Sequence, residues 1–150
     1  SLPPRGLARI HIRICDAKGL RKADWSGQAV NAFCTCAVPG KPALKFHTPV
    51  IAETRAPVWN HSHTIDIDPS YDSLRLTVTD YDKKWNEMLG RAVLPPTDFY
   101  PMGFDGDIIL EVPGKKFQAT LGLKIQILQQ ASQPSRQGRL PPSPAVAVKA

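Results

Sequence analysis

The stretch TDYDKKWNEMLG gathers carboxylates, lysines and an indole in one short segment. Asp80 and Asp82 come at the end of a run that alternates apolar and polar residues, which is typical of a half-buried strand. Lys83, Lys84 and Trp85 follow them directly. Carboxylates hold cations or cap turns, lysines attract anionic headgroups, and indoles favour the membrane interface. The segment therefore suits a binding site better than a catalytic one.

Histidines and cysteines offer the other candidate chemistry. His61 and His63 would lie on one face of a strand and could share a zinc ion, but no third ligand is in view, so we favour a solvated face. Cys34 and Cys36 would also share a strand face, which is a poor geometry for a mutual disulfide, and a metal site there lacks a second pair of ligands. With Cys15 they make an odd number, so we expect reduced thiols in a cytosolic protein.

Motifs and charge exclude several classes of function. The sequence contains no Ser/His/Asp order, nucleophile elbow, Walker loop or HExxH motif, so we do not expect an enzyme. Of the net charge of +6, residues 130–150 carry three basic groups and no acid, and Arg5 adds one more, which leaves the rest near +2. That balance lacks the dense basic stripe of a nucleic-acid binder. No apolar run approaches the roughly 18 residues that cross a bilayer.

Alternating patterns predict strands through most of the chain. From Ala8 onward, Ile10, Ile12 and Ile14 alternate with polar residues, and no segment shows a sustained helical period. Gly, Pro, Asn or Asp separate nearly all the other candidate strands. These candidates are residues 32–38, 44–51, 61–67, 73–79, 89–94, 107–112 and 119–128. We predict one all-β domain, an antiparallel sandwich of about eight strands in two sheets.

The composition changes at Gln130. Residues 130–150 are rich in Pro, Ser and Gln and poor in large apolar side chains, so they cannot bury enough surface to offset the entropy of ordering. We predict a leader at 1–6, a folded domain at 7–129 and a Pro-rich flexible tail at 130–150. The run from Pro141 to Pro144 could form polyproline II and dock a protein partner of SH3 or WW type, although a plain linker is favoured.

Four segments, in order, resemble one known family. ARIHIRICDAKGL resembles the first strand and corner of a C2 domain, and KFHTPVI resembles its K-x-x-T-x-V-I strand. TRAPVWN is similar to the T-x-x-P-x-W-N segment, and LTVTDYD followed by EMLG is similar to V-x-V-x-D-x-D with D-x-I-G. The resemblance covers roughly residues 7–128 and implies an eight-stranded antiparallel β-sandwich of C2 type. Because ATLGLKIQIL comes last, the order resembles the circularly permuted type II topology.

The resemblance also implies a calcium site between two loops, where the family places five carboxylates around two or three ions. Asp24 matches the first aspartate of loop one, Asp80 and Asp82 match the central pair, and Glu87 stands where the last aspartate usually lies. The family's D-P-Y is replaced by N-A-F from Asn31, which offers a carbonyl oxygen but removes one negative charge and so weakens calcium binding. Calcium is the expected cofactor; the alternative is that these aspartates only cap turns.

Side chains beside the expected ions suit a membrane surface. Trp25 and Trp85 would lie at loop tips, where membrane contact and packing over the loop are the two alternatives, whereas Trp59 belongs to a strand start and should pack. Lys41 and Lys45 weakly resemble the basic face that binds phosphoinositides in some C2 domains. The lipid-binding candidates of the two loops are basic or aromatic: Arg21, Lys22, Trp25, Lys83, Lys84 and Trp85.

Together these features predict a cytoplasmic module, peripheral at membranes, that binds anionic phospholipid with the help of calcium. The rival hypothesis is a calcium-independent protein–protein interaction module of a larger scaffold protein. The departure at Asn31 favours the rival, and the intact D-x-D pair favours the first hypothesis. Neither involves nucleic acid.

Overall fold

The computed structural model describes residues 1–21, 29–112, 114 and 118–132. This part of the chain forms nine β-strands and two 3-10 helices, Pro42–Leu44 and Pro96–Asp98. It contains no helix that is long and apolar enough to span a membrane. The all-β prediction is confirmed, with nine strands where eight were expected. The strands are β1 (Ala8–Lys18), β2 (Val30–Ala37), β3 (Phe46–His47), β4 (Ile51–Thr54), β5 (Val58–Ile67), β6 (Leu74–Asp80), β7 (Glu87–Leu94), β8 (Phe104–Leu110) and β9 (Ala119–Gln129).

The strands form two antiparallel sheets that pack as a sandwich. One sheet has the order β5-β1-β9-β8; the other has the order β3-β2-β6-β7, with β4 also pairing β2. The last strand, β9, lies beside the first, with Ile12 opposite Ile125. Neighbouring first and last strands are found in either permutant, so the type II order stays a prediction.

The core follows from the alternation of the sequence. Ile10, Ile12 and Ile14 of β1 are completely buried, and Leu76 and Val78 of β6 are buried in the opposite sheet. Each such side chain stabilises the fold by about 1.5–3 kcal/mol relative to exposure, before any allowance for a compact unfolded state. Residues of the other parity point outward, so the outer faces of both sheets remain available for contacts.

The single strand predicted at 44–51 is wrong. Leu44 belongs to a 3-10 helix, β3 ends at His47, and the chain re-enters the sheet only at β4. Thr48 is buried, and its hydroxyl accepts a hydrogen bond from the Cys34 N–H at 2.9 Å. Pro49 has no N–H to continue a ladder. A buried threonine followed by proline therefore splits the segment into two strands.

The two long sides of the sandwich differ. On one side Arg91 of β7 and Glu111, just past β8, exchange two backbone hydrogen bonds of 3.0 and 2.7 Å, which join the sheets. On the other side Phe46 of β3 stacks on His63 of β5 with ring centroids 4.4 Å apart. His61 and His63 do share a strand face, as predicted, but that face looks into the sandwich, because they pair with inward-facing isoleucines of β1. His63 stays exposed at this open side.

Strand directions assign every connection to one of two ends. The loop after β1, the turn before β5 and the hairpin between β6 and β7 lie at one end, which we call the loop end. The first described residues and Ser132 lie at the far end, where the Gly6 N–H is 3.5 Å from the Ser132 hydroxyl. The predicted ion and lipid residues of the β6–β7 hairpin thus lie at the end opposite the chain's described termini.

Candidate functional site

The hairpin between β6 and β7 carries an exposed tip, which we call the tip loop (residues 81–86). Lys83 and Lys84 are exposed, and 74% of the Trp85 surface is accessible. Tyr81 is 48% accessible and Met88, at the start of β7, is 39% accessible. Trp85 therefore does not pack as a lid over the core, and the tip combines two cations with apolar surface.

Asp80 ends β6 and is nearly buried, with 6% of its surface accessible. Its Oδ1 accepts a hydrogen bond from the Asn31 N–H at 2.8 Å, and the Tyr81 N–H donates to the Asn31 carbonyl at 2.7 Å. In the strand register Asp80 lies opposite Glu87, the first residue of β7. The carboxylate thus fastens the end of β6 to the start of β2.

Asp82 lies in the exposed tip loop and organises its backbone. Its Oδ1 accepts a hydrogen bond from the Lys84 N–H at 2.8 Å, which is the pattern of an Asx turn. The Asp82 N–H donates in turn to the Asn86 side-chain oxygen at 3.3 Å. Both ends of the loop are therefore held by side chains of the loop itself.

The Asn31 side chain hydrogen-bonds to the neighbouring strand β4. Its Oδ1 accepts a hydrogen bond from the Glu53 N–H at 3.0 Å. Glu53 has a positive φ of 56°, a backbone conformation that non-glycine residues adopt uncommonly. The Asn31 amide thus supports a strained residue at the loop end.

The remaining predicted residues of loop one fall mostly outside the described part of the chain. Arg21 is described and is exposed. Lys22, Asp24 and Trp25 lie outside the described residues, as do the prolines of the predicted SH3- or WW-binding run.

The described donors fit the calcium site that the resemblance implies only poorly, and Asp24, its first expected ligand, lies outside the described residues. Calcium takes six to eight oxygens. One oxygen each of Asp80, Asp82 and Asn31 already accepts a backbone N–H, and Asp80 is almost inaccessible. Within the described residues no three His, Cys, Asp or Glu side chains are grouped closely enough to hold a metal. His61 and His63 therefore have no third such ligand near them among the described residues.

A second basic surface lies on the outer face of the five-stranded sheet. Lys45 and Arg75 line a groove of about 460 Å³ together with Thr35 and Thr77, and none of its eight described lining residues is acidic. Arg91, opposite Thr77 in β7, adds an exposed cation beside it. We call Lys45, Arg75 and Arg91 the basic groove.

Lys41, paired with Lys45 in the phosphoinositide hypothesis, lies elsewhere and has another role. Its Nζ is 2.5 Å from Oδ2 of Asp72, whose side chain is fully buried at the far end. The same oxygen accepts the Asp68 N–H at 2.8 Å. Lys41 therefore neutralises a buried carboxylate.

Trp59 packs as predicted. It lies partly buried against the core, and its indole N–H donates to the Ala32 carbonyl at 3.1 Å. The bond joins β5 of one sheet to β2 of the other, so this indole is structural.

The sandwich, its tip loop and the position of its first and last strands agree with the family suggested by the motifs. A family model of the C2 domain matches residues 8–107. The chain belongs to the C2 domain family. The match spans β1 to most of β8, which includes the tip loop and the basic groove.

Solved structures show the same fold at low identity. One C2 domain (domain A) of plant extended synaptotagmin 1 superposes with a TM-score of 0.73 at 21% identity, covering 85% of this chain and 99% of that one. The two C2 domains (A and B) of extended synaptotagmin 2 give 0.71 at 20% identity, covering 86% of this chain and 43% of that one. Human GIVD cytosolic phospholipase A2, solved with an inhibitor and terbium chloride, gives 0.70 at 17% identity, covering 84% of this chain and 18% of that one.

Sequence inspection missed four exposed residues of these surfaces, Arg75, Arg91, Tyr81 and Met88. Arg75 could have been found, because the alternation of β6 places it outward with Thr77. Tyr81 and Met88 gave a weaker signal, since exposure of an apolar residue in a turn depends on how the turn folds. The closeness of Arg75 to Lys45 depends on pairing between distant segments and had no local signature.

Proposed function

We propose that this C2 domain docks on anionic phospholipid through its tip loop, with the basic groove as a second contact. The observation that carries this proposal is the tip itself, where an indole that is 74% accessible stands next to two exposed lysines. Indoles settle at the headgroup level, and each lysine near an anionic surface contributes about 1 kcal/mol. The domain would then be a non-catalytic module of a cytoplasmic protein, peripheral at membranes.

The basic groove supports the same function. Lys45 and Arg75 line the groove with no acidic residue among its eight described lining residues, so they attract phosphate oxygens, which arginine can bind with two hydrogen bonds. Arg91 adds a cation beside the groove, although its backbone partner is the acidic Glu111. An anionic headgroup of high charge, such as a phosphoinositide, suits a groove with cations on both walls. Lys45 and Arg75 replace the sequence-predicted pair of Lys41 and Lys45 as its recognition residues.

Calcium assistance, expected from the sequence, is not part of this proposed function, because one oxygen each of Asp80, Asp82 and Asn31 already accepts a backbone N–H. The rival, a protein–protein interaction module, remains the second candidate. It rests on the exposed apolar residues of the tip, which would suit a protein groove as well as a membrane.

Vesicle co-sedimentation tests the proposed function. We expect the protein to bind vesicles of phosphatidylcholine with phosphatidylserine and to bind pure phosphatidylcholine much more weakly. Lys83→Ala with Lys84→Ala should weaken binding about ten- to thirtyfold at low salt and less at physiological salt, because exposed charges are screened within about 8–10 Å. Trp85→Ala should weaken binding about tenfold across the salt series, since burial of an indole is barely screened.

Matched controls come from surfaces away from the tip. Tyr71→Ala removes an aromatic that is 76% accessible at the far end, and Arg13→Ala with Lys124→Ala removes two exposed cations that face each other on the four-stranded sheet. These variants should bind like wild type. If anionic lipid confers no advantage, or if the controls lose as much binding as the tip variants, docking through the tip is refuted and the rival is favoured.

A further inference from the structure

We infer that the aspartates of the tip loop act as built-in caps that hold the loop ready for lipid, so that docking does not need calcium. This inference rests on the proposed lipid docking and concerns its regulation. It follows from what the Asp80 and Asp82 oxygens bind in the folded chain.

The first step is the anchorage of the loop. Asp80 and Tyr81 exchange two hydrogen bonds with the backbone of Asn31, at 2.8 and 2.7 Å. A carboxylate that accepts a backbone N–H forms a charge-assisted hydrogen bond, which is stronger than a neutral one. The end of β6 is thereby fixed to the start of β2 by hydrogen bonds, at a carboxylate that is almost completely shielded from solvent.

The second step is the shape of the loop. Asp82 accepts the Lys84 N–H, and the Asp82 N–H donates to Asn86, so the turn is closed by its own side chains. That turn leaves Lys83, Lys84 and Trp85 on the surface. Since the groups that contact lipid are already presented, a cation has no ordering left to supply, and pre-organisation of this kind favours binding.

The third step is charge. The segment from Asp80 to Glu87 contains three acidic side chains and two lysines, and the loop-one position that is acidic in the family motif is Asn31 here. By formal charge this segment therefore carries about −1, so the repulsion from an anionic membrane that a bound cation would relieve is small in this segment. The two lysines stand further out on the loop than Asp80, which is nearly buried.

The first experiment compares wild-type binding to phosphatidylserine-containing vesicles in EGTA and in millimolar calcium, alongside calcium calorimetry without lipid. We expect vesicle binding in EGTA, a change of less than about twofold on adding calcium, and no calcium heat. Binding that appears only with calcium, or a calcium heat with a defined stoichiometry, overturns the inference. If no vesicles bind under either condition, the proposed function fails, and the calorimetry alone then decides whether calcium binds.

A pair of substitutions separates a cap from a metal ligand. Asp82→Asn keeps the Oδ1 acceptor and removes the charge, whereas Asp82→Ala removes both. A cap predicts that the Asn variant binds vesicles as well as wild type or slightly better, while the Ala variant binds several-fold more weakly at an unchanged melting temperature. A metal ligand predicts that both variants lose binding equally, and that result refutes the cap.

Discussion

Two lysines four positions apart illustrate how much a single residue's role depends on its surroundings. The sequence groups Lys41 and Lys45 as one weak phosphoinositide site. In the fold, Lys41 pairs with the buried Asp72 at the far end, and Lys45 lines the basic groove with Arg75. Spacing along the chain cannot distinguish these roles, because the partner of each lysine comes from another strand connection.

Alanine substitution should therefore lower stability at Lys41 and weaken lipid binding at Lys45. Lys41→Ala leaves the Asp72 carboxylate buried without its cation, and no described group binds its Oδ1, so we expect a loss of about 1–3 kcal/mol in the free energy of unfolding and unchanged vesicle binding. Lys45→Ala should weaken binding to phosphoinositide vesicles with little change in stability. Urea unfolding and co-sedimentation of both variants measure this, and a Lys41→Ala protein of wild-type stability would contradict the role assigned to the ion pair.

The three cysteines also differ by environment. Burial raises the pKa of Cys36 to about 12 and raises the pKa of Cys34 as well, whereas Cys15 is only partly buried. Because the thiolate is the reactive form and must also be reached by the reagent, we expect a thiol reagent at pH 8 to modify Cys15 alone in the native protein and all three thiols after denaturation. Cys15→Ser should abolish the native reaction. Rapid modification of two or more thiols in the folded protein would contradict the burial of the pair.

At the scale of elements, the sequence predicts a strand wherever one face is buried and the other is exposed to solvent. β1 and β6 were predictable because their buried residues alternate strictly with polar ones. β4 was not predictable as a separate strand, because it has only four residues and its burial does not alternate. The inward orientation of His61 and His63 was missed as well, because only the pairing of β5 with β1 shows which face looks into the sandwich.

The candidate site was predictable in composition and not in geometry. The order of aspartates, lysines and tryptophan indicated a binding loop, and the exposure of Trp85 agrees with that. Whether an aspartate oxygen faces a cation or a backbone N–H depends on the path of the turn, which residue types alone do not specify. Asp82 shows this, because its Oδ1 accepts the Lys84 N–H in this turn.

The junction of β7 with β8 yields a prediction for Gly90. A Cβ added to Gly90 would lie 2.9 Å from the Cβ of Leu110, which is 1% accessible and cannot move aside. Gly90→Ala should therefore lower the free energy of unfolding by about 1–3 kcal/mol through overpacking. Thermal unfolding measures the loss. Gly40→Ala, at a turn where an added Cβ meets no neighbour within 4 Å but φ is positive, separates packing from backbone strain.

At the scale of the whole molecule, the tip loop and the described chain ends lie at opposite ends of the sandwich. The tip loop lies at one end, and Gly6 and Ser132 lie together at the other. A domain that docks by its tip loop would therefore hold both described chain ends away from the membrane. The buried Lys41–Asp72 pair lies at that far end too, remote from the lipid contacts.

Truncations test where the folded body ends. The Ala131 N–H donates to the Tyr100 hydroxyl at 2.9 Å, just beyond the boundary that composition suggested. We predict that removing residues 133–150 changes the melting temperature by less than about 5 °C, because a segment of this Pro-, Ser- and Gln-rich composition should contribute few contacts. Removing residues 131–150 should cost a few degrees more, about the value of one hydrogen bond. A larger drop for the shorter truncation would show that the tail packs on the sandwich.

Depth-dependent quenching of tryptophan fluorescence tests the tip-loop account most directly. A Trp25→Phe background leaves Trp59, which packs between the sheets, and Trp85, which stands at the tip. With phosphatidylserine vesicles that contain brominated acyl chains, we predict clear quenching in this background and its loss when Trp85→Phe is added. Quenching that persists without Trp85, or none in the background under conditions where the protein co-sediments, would contradict docking through the tip loop.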